Sequence, residues 1–166
     1  IESGVLAVGD ELLFSPSNKC ARVARIVAWP DGGSPERAVA GQSVGLILDE
    51  QIFVERGEVI SHIADPPLES NVFRGHIFWL GREPLAAGKQ YKLKLGTFEA
   101  PVKVQSVDRI IDIDDLAMTD SASSEAVIER NGVGEVVLRS RVMLALDELA
   151  SNRKTGRFVL VDGYDI

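Results

Sequence analysis

The side chains able to do chemistry are few and scattered. Cys20 is the sole thiol, and His62 and His76 are the only imidazoles. A thiol nucleophile needs a base within hydrogen-bond reach, and no histidine lies near Cys20 in sequence, so Cys20 reads as a small buried apolar strand residue. His62 and His76 stand in separate segments and each reads as an ordinary strand residue, not a general base. Asp112, Asp114 and Asp115 offer oxygen ligands of the kind a divalent cation takes, but the glycine and closing glutamate of an EF-hand loop are missing, and a solvated bend is the plainer reading. Neither GxxxxGK[ST] nor GxGxxG occurs, so the backbone cradle that polyphosphates need is absent from the sequence. No catalytic, cofactor-binding or metal-binding residue is assigned. The remaining candidate is a basic turn, Arg153 and Lys154 with Arg157, which suits a partner carboxylate or another anion; the competing reading is a solvated hairpin tip. Trp29 and Trp79 are too far apart in sequence to suggest a stacking platform and read as core or interface.

The composition frames those residues as part of an ordinary globular protein. The 166 residues are 45% apolar and 26% charged, close to globular averages, and the length suits one domain or two small ones. Eighteen basic against twenty-five acidic residues give a net charge of −7, which repels a phosphate backbone. The first 64 residues carry five basic and nine acidic side chains and the rest thirteen and sixteen, or −4 and −3. A single cysteine cannot form an internal disulfide, and two histidines do not make a zinc site, which favours the cytoplasm. No apolar run approaches a membrane span, and Ile1-Glu2-Ser3-Gly4 has no leader character. Without an initiator methionine, the chain reads as a piece of something longer.

The elements that must position these residues are almost all strands. Val5–Phe14 is two short apolar runs around Gly9-Asp10, Ser15–Lys19 is a turn, and Cys20–Val27 alternates, the pattern of a β-meander. With Ser43–Leu48, Ile52–Val54 and Val59–Ile60, the first 64 residues predict a small closed barrel. Asp65-Pro66-Pro67 is the boundary, because paired prolines stiffen a connection and cannot continue a central strand. Beyond it, Val72–Leu80, Tyr91–Leu95, Val102–Val107, Gly134–Arg139 and Arg157–Asp162 predict a second antiparallel barrel over residues 65–166. Asp112–Arg130 reads as a long exposed connection, Val142–Ala150 as strand then turn, and Asn152–Gly156 as the turn before the last strand.

Taken together, these segments resemble a known family. Ser3-Gly4-Val5-Leu6-Ala7-Val8-Gly9-Asp10-Glu11-Leu12 followed by Pro16-Ser17 is similar to the start of domain 2 in translation-factor GTPases. Ala40-Gly41-Gln42-Ser43-Val44-Gly45-Leu46, Asp49-Glu50 and Glu55-Arg56-Gly57-Glu58-Val59-Ile60 resemble its later part. Glu83-Pro84-Leu85, Gly88, Tyr91–Thr97, Asn131, Gly134 and Asn152-Arg153-Lys154-Thr155-Gly156-Arg157-Phe158 narrow the likeness to domain 3 of the GTP-binding large subunit of bacterial sulfate adenylyltransferase, which also occurs fused to adenylylsulfate kinase. Two departures stand out: Asn18 occupies the position where that family has glycine, and the chain stops at Tyr164-Asp165-Ile166, before a glycine-rich closing strand.

The resemblance implies an all-β fold of two small antiparallel barrels in tandem, of translation-factor domain 2 and domain 3 type. It implies partners: a GTPase domain of the same polypeptide, the catalytic small subunit that activates sulfate, and in some chains a fused kinase domain. GTP and Mg would be bound by the parent polypeptide and ATP would be its substrate, with none of them held in these residues. The interface residues it points to are Asn152, Arg153, Lys154, Thr155 and Arg157. The alternative is an elongation-factor-like barrel pair gripping aminoacyl-tRNA, against which the acidic balance counts. An independent small-barrel enzyme ranks last, since no nucleophile and base pair can be assembled from the sequence.

Overall fold

A computed structural model describes residues 1–28, 33–111, 118–120 and 126–163. The described residues form fourteen strands and no helix, paired antiparallel throughout. They gather into two compact units: Ile1–Glu69 with Leu144–Arg157, and Ser70–Met143 with the segment from Phe158 onward. The proline pair at 66–67 thus lies a few residues before the point where the chain leaves the first unit.

In the first unit, β1 (Val5–Ala7) pairs with β4 (Arg37–Val39), and a four-stranded sheet runs β5 (Val44–Leu48), β3 (Lys19–Ala28), β2 (Glu11–Ser15), β6 (Val59–His62). Strand alternation puts Leu12 and Phe14 of β2 and Ala21 and Val23 of β3 on one face, where they meet Leu6, Ile26 and Ala38 in a closed apolar core. A bulge between Val23 and Arg25 breaks the β3–β5 register. Asp49 closes it: its Oδ1 accepts the Arg22 N–H at 2.7 Å, and its own N–H donates to the Arg22 carbonyl at 3.0 Å.

The signature residues of this unit are turn formers. The Asp10 carboxylate accepts the Ala7 N–H at 2.8 Å, while the Gly9 N–H donates to the Val23 carbonyl. Gln42 accepts the Val39 N–H through its side-chain oxygen at 2.8 Å. Asn18 has φ of 57°, the left-handed region that asparagine tolerates best after glycine. Its N–H reaches the Phe14 carbonyl at 2.8 Å. The departure from the family pattern at Asn18 therefore preserves the turn.

In the second unit the sheet runs β14 (Phe158–Val161), β9 (Gln90–Leu95), β10 (Phe98–Ile111), β13 (Val133–Leu146), β7 (Leu68–Phe78), with β11 (Met118–Asp120) added to β10. A short pair, β8 (Leu85–Ala86) with β12 (Val127–Ile128), stands apart. Tyr91, Leu93 and Leu95 point inward while Gln90, Lys92 and Lys94 face out, the period-two pattern that the sequence predicts. The Trp79 ring meets Tyr91 edge-on at 5.2 Å, and its Nε1–H donates to the Glu83 carbonyl at 2.7 Å. The strands at the two ends of this sheet approach through side chains: Phe158 of β14 meets Phe73 of β7 edge-on at 5.3 Å.

Two expectations are corrected. Residues 112–130 are not exposed throughout, because Ile128 is fully buried in the strand pair β8–β12, and 118–120 form a strand on β10. The Asn152–Gly156 turn does not close a hairpin, because β14 pairs with β9 through Val161↔Lys92 and Phe158↔Leu95 instead of with the preceding strand.

Candidate functional site

The turn from Asp147 to Arg157 is knit by its own side chains. The Glu148 carbonyl accepts the N–H groups of Ser151 and Asn152, both at 2.9 Å. The Asn152 Oδ1 then accepts the Lys154 N–H at 3.1 Å and the Thr155 N–H at 3.5 Å, the local bonding that makes asparagine a turn residue. The Thr155 hydroxyl donates to the Asp147 carboxylate. The Gly156 N–H donates to the Asn152 carbonyl at 2.8 Å. A Cβ at Gly156 would stand 2.7 Å from the Leu149 Cα and N, so only glycine fits. The chemistry of this stretch is a backbone brace.

What the brace presents is charge. Arg153, Lys154 and Arg157 are all exposed. Lys154 Nζ lies 3.1 Å from the Glu2 carboxylate, an exposed pair that contributes roughly 0–1 kcal/mol. Arg153 and Arg157 make no ion pair among the described residues. The five candidate interface residues thus divide into two kinds: Asn152 and Thr155 hold the turn, and Arg153, Lys154 and Arg157 face outward from it.

The other reactive side chains stay separate. Cys20 is exposed on β3 and not buried as the sequence suggests, because it lies on the opposite face of the strand from Ala21 and Val23, which fill the core. His62 Nε2 lies 2.9 Å from Asp10 Oδ2, a pairing across 52 residues of chain that nothing in the spacing signals. The Asp10 carboxyl is held below its ordinary value of 3.8 by the Ala7 N–H first and by His62 second. Among the described residues no thiol or hydroxyl is hydrogen-bonded to His62, so the pair has no nucleophile to activate. His76 Nε2 lies 3.4 Å from Glu135, which also meets Arg74 Nε at 3.5 Å. Among the described residues no cluster of three or more His, Cys, Asp or Glu could hold a metal ion; the acidic run Asp112–Asp115 lies outside them, as does Trp29. Trp79 is buried core. Among the same residues no helix is long and apolar enough to cross a membrane.

An all-β pair of antiparallel units is the tandem-barrel fold of elongation-factor-like GTPases. The Sup35 crystal structure in complex with GMPPNP superimposes with a TM-score of 0.84 over 98% of this chain and 39% of its own, at 18% identity; the Sup35–GDP structure has the same TM-score over 99% of this chain and 40% of its own, at 17% identity. The chain belongs to the GTP-eEF1A C-terminal domain-like family, whose sequence model matches residues 72–166. Among curated relatives it is similar to the bifunctional enzyme NodQ of Rhizobium sp. strain N33, 34% identical over 98% of this chain and 24% of NodQ. It is also similar to sulfate adenylyltransferase subunit 1 of Alteromonas mediterranea, 33% identical over 98% of this chain and 33% of the subunit. The chain spans about a quarter to a third of the length of the curated relatives it matches.

Proposed function

We propose that this chain is the non-catalytic barrel portion of a sulfate-activating GTPase, holding a GTPase domain against the subunit that forms adenylylsulfate. The observation that carries the reading is that the similarity to sulfate adenylyltransferase subunit 1 runs across 98% of the chain while the described residues assemble no nucleophile, base and anion hole together. Closed sheets rigidify the loops between strands, and the braced Asp147–Arg157 turn is such a loop, with two unpaired guanidinium groups suited to bidentate contact with a partner carboxylate. A nucleotide-dependent GTPase domain that contacts this surface differently in its two states would couple through that difference in contact energy. GTP and its magnesium would be bound by other polypeptide, because this sequence has no phosphate-binding glycine loop.

Sulfate-dependent ATP–pyrophosphate exchange by the purified chain is the direct test. No exchange above buffer is expected, and turnover by the chain alone refutes the reading. A gel shift with aminoacyl-tRNA at micromolar protein separates it from the elongation-factor alternative: a salt-sensitive shift would favour RNA, and none is expected from a chain of net charge −7.

A further inference from the structure

In the second unit, residues directly opposite one another on antiparallel strands share a face of the sheet, so the register sorts the side chains into inward and outward rows. Tyr91, Val102 and Ser140 form one buried row, and Leu160, Leu93 and Ala100 another. The intervening rows face outward, and each has a lysine at its centre. Lys94 stands between Val159 and Glu99, Lys92 between Val161 and Pro101, and Lys103 between Gln90 and Arg139. Opposed residues are about 5 Å apart and diagonal ones about 7–8 Å, so the three lysines and Arg139 lie close together. Arg141 is exposed too, on the far side of buried Ser140 from Arg139.

This face is basic in an acidic protein. Five cations share it with one carboxylate, Glu99, in a chain of net charge −7. Glu99 Oε2 lies 3.8 Å from Lys92 Nζ and its Oε1 lies 3.4 Å from Lys94 Nζ. Lys103, Arg139 and Arg141 make no ion pair among the described residues, and the Arg139 Nε–H donates to the neutral Gln105 Oε1 at 3.1 Å. Asp162 follows Val161 and so takes the other side of its strand. Toward the far end of β10 and β13 the charge becomes mixed, where Arg74 meets Asp108 and Glu135 and His76 meets Glu135. The basic end also carries a hollow of about 440 Å³, whose lining combines the apolar Ala100, Pro101 and Val161 with Gln90, Lys92 and Glu99. That volume is within the range of ligand sites, about 300–1,000 Å³.

We propose that this face binds an extended acidic peptide segment. An apolar side chain of the segment enters the hollow against Pro101 and Val161, and its flanking carboxylates meet Lys92, Lys94 and Lys103. Glu99 holds two of those lysines as an internal carboxylate, and an incoming carboxylate competes with it for them. Nucleic acid suits the face less, because no aromatic side chain stands in the outward rows to stack a base and the net charge of the chain opposes a polyanion. The Arg153–Arg157 turn takes no part, so the inference stands or falls apart from the function proposed above.

The test is an amide NMR titration of the isotopically labelled chain with a synthetic peptide centred on Glu-Leu-Glu, and with Lys-Leu-Lys and Glu-Ser-Glu counterparts. Saturable shifts from the first peptide, concentrated at Gln90, Lys92, Glu99 and Val161, are expected, fading at about 1 M salt, where the screening length falls to about 3 Å. Glu-Ser-Glu is expected to bind more weakly and Lys-Leu-Lys not at all. Lys92→Gln and Lys103→Gln, both at exposed positions, are each expected to lose about tenfold in affinity. Glu99→Gln, which frees two lysines, is expected to gain about threefold. Arg25→Gln, an exposed cation of the first unit, is expected to bind unchanged. No saturable shifts, equal binding of the Lys-Leu-Lys peptide, shifts centred elsewhere, or weaker binding by Glu99→Gln would overturn the proposal. So would tighter binding of a single-stranded oligonucleotide at the same residues, or a concentration-dependent dimer abolished by Lys92→Gln, each of which assigns the face to another occupant.

Discussion

Gly156 lies against the backbone of Leu149, seven residues earlier, so closely that a methyl group on it would meet the Leu149 Cα and N at 2.7 Å and the Asn152 carbonyl at 2.8 Å. All of those atoms are main chain and cannot swing aside. The substitution Gly156→Ala is therefore expected to destabilise the chain by about 1–3 kcal/mol, the usual cost of forcing a methyl into packed surroundings. Gly33→Ala, with open space around its Cα, is expected to change the urea midpoint little. Equal midpoints for the two variants would show that the turn is loose.

The Asp10 carboxylate binds the Ala7 N–H and His62 at once, and its ionised form is favoured in the folded state. A depressed folded-state value means that the stabilisation is present above the ordinary value of 3.8 and is lost as pH falls through and below it. Asp10→Ala is expected to cost about 1–2 kcal/mol at pH 7, toward the low end for a hydrogen bond to a charged acceptor because the carboxylate is partly exposed. The difference between wild type and Asp10→Asn in urea midpoint should shrink between pH 6 and 3. A constant gap across that range would mean that the charge of Asp10 contributes nothing.

Tyr91 behaves in the opposite sense. Burial pushes its phenol up to about 12, and the nearby Asp162 charge adds to the effect, while the Ala86 backbone works weakly against it. No well-formed hydrogen bond reaches the hydroxyl. Because the neutral form is favoured on folding, its stabilisation is complete below the unfolded value near 10 and is lost as pH rises toward 12. Tyr91→Phe removes an unsatisfied polar atom and is expected to be neutral or slightly stabilising at pH 7, with a shallower alkaline limb of the stability profile. A loss of more than about 1 kcal/mol would show that the hydroxyl has a partner.

Much of the fold is legible in the sequence where the information is local. The alternation in Gln90–Leu95 marks a half-buried strand, and Gly9-Asp10, Asn18 and Asn152–Gly156 mark turns, because positive φ and side-chain-to-backbone bonds are decided within a few residues. The pairing of Asp10 with His62 and of β14 with β9 is not legible, since both join distant positions whose meeting depends on strand register and topology. The same limit explains Ile128, an apolar residue hidden in a polar stretch, and the grouping of Leu144–Arg157 with the first unit. At the candidate site, the type of each residue shows in the sequence. The division of labour between Asn152 and Thr155, which brace, and Arg153 and Arg157, which face solvent, is set only by how the turn folds.

The outward-facing charge is where the proposed docking would act, so the double substitution Arg153→Ala with Lys154→Ala is its sharpest variant. Both side chains are exposed and the turn is held by other groups, so the urea midpoint is expected to move by less than about 1 kcal/mol. The deciding measurement is an isothermal titration of the chain, wild type and double variant, into the catalytic small subunit of sulfate adenylyltransferase. A saturable complex with wild type, weakened about tenfold or more in the variant, is the result that the docking role requires. No complex with wild type, or the same affinity for both, would contradict it.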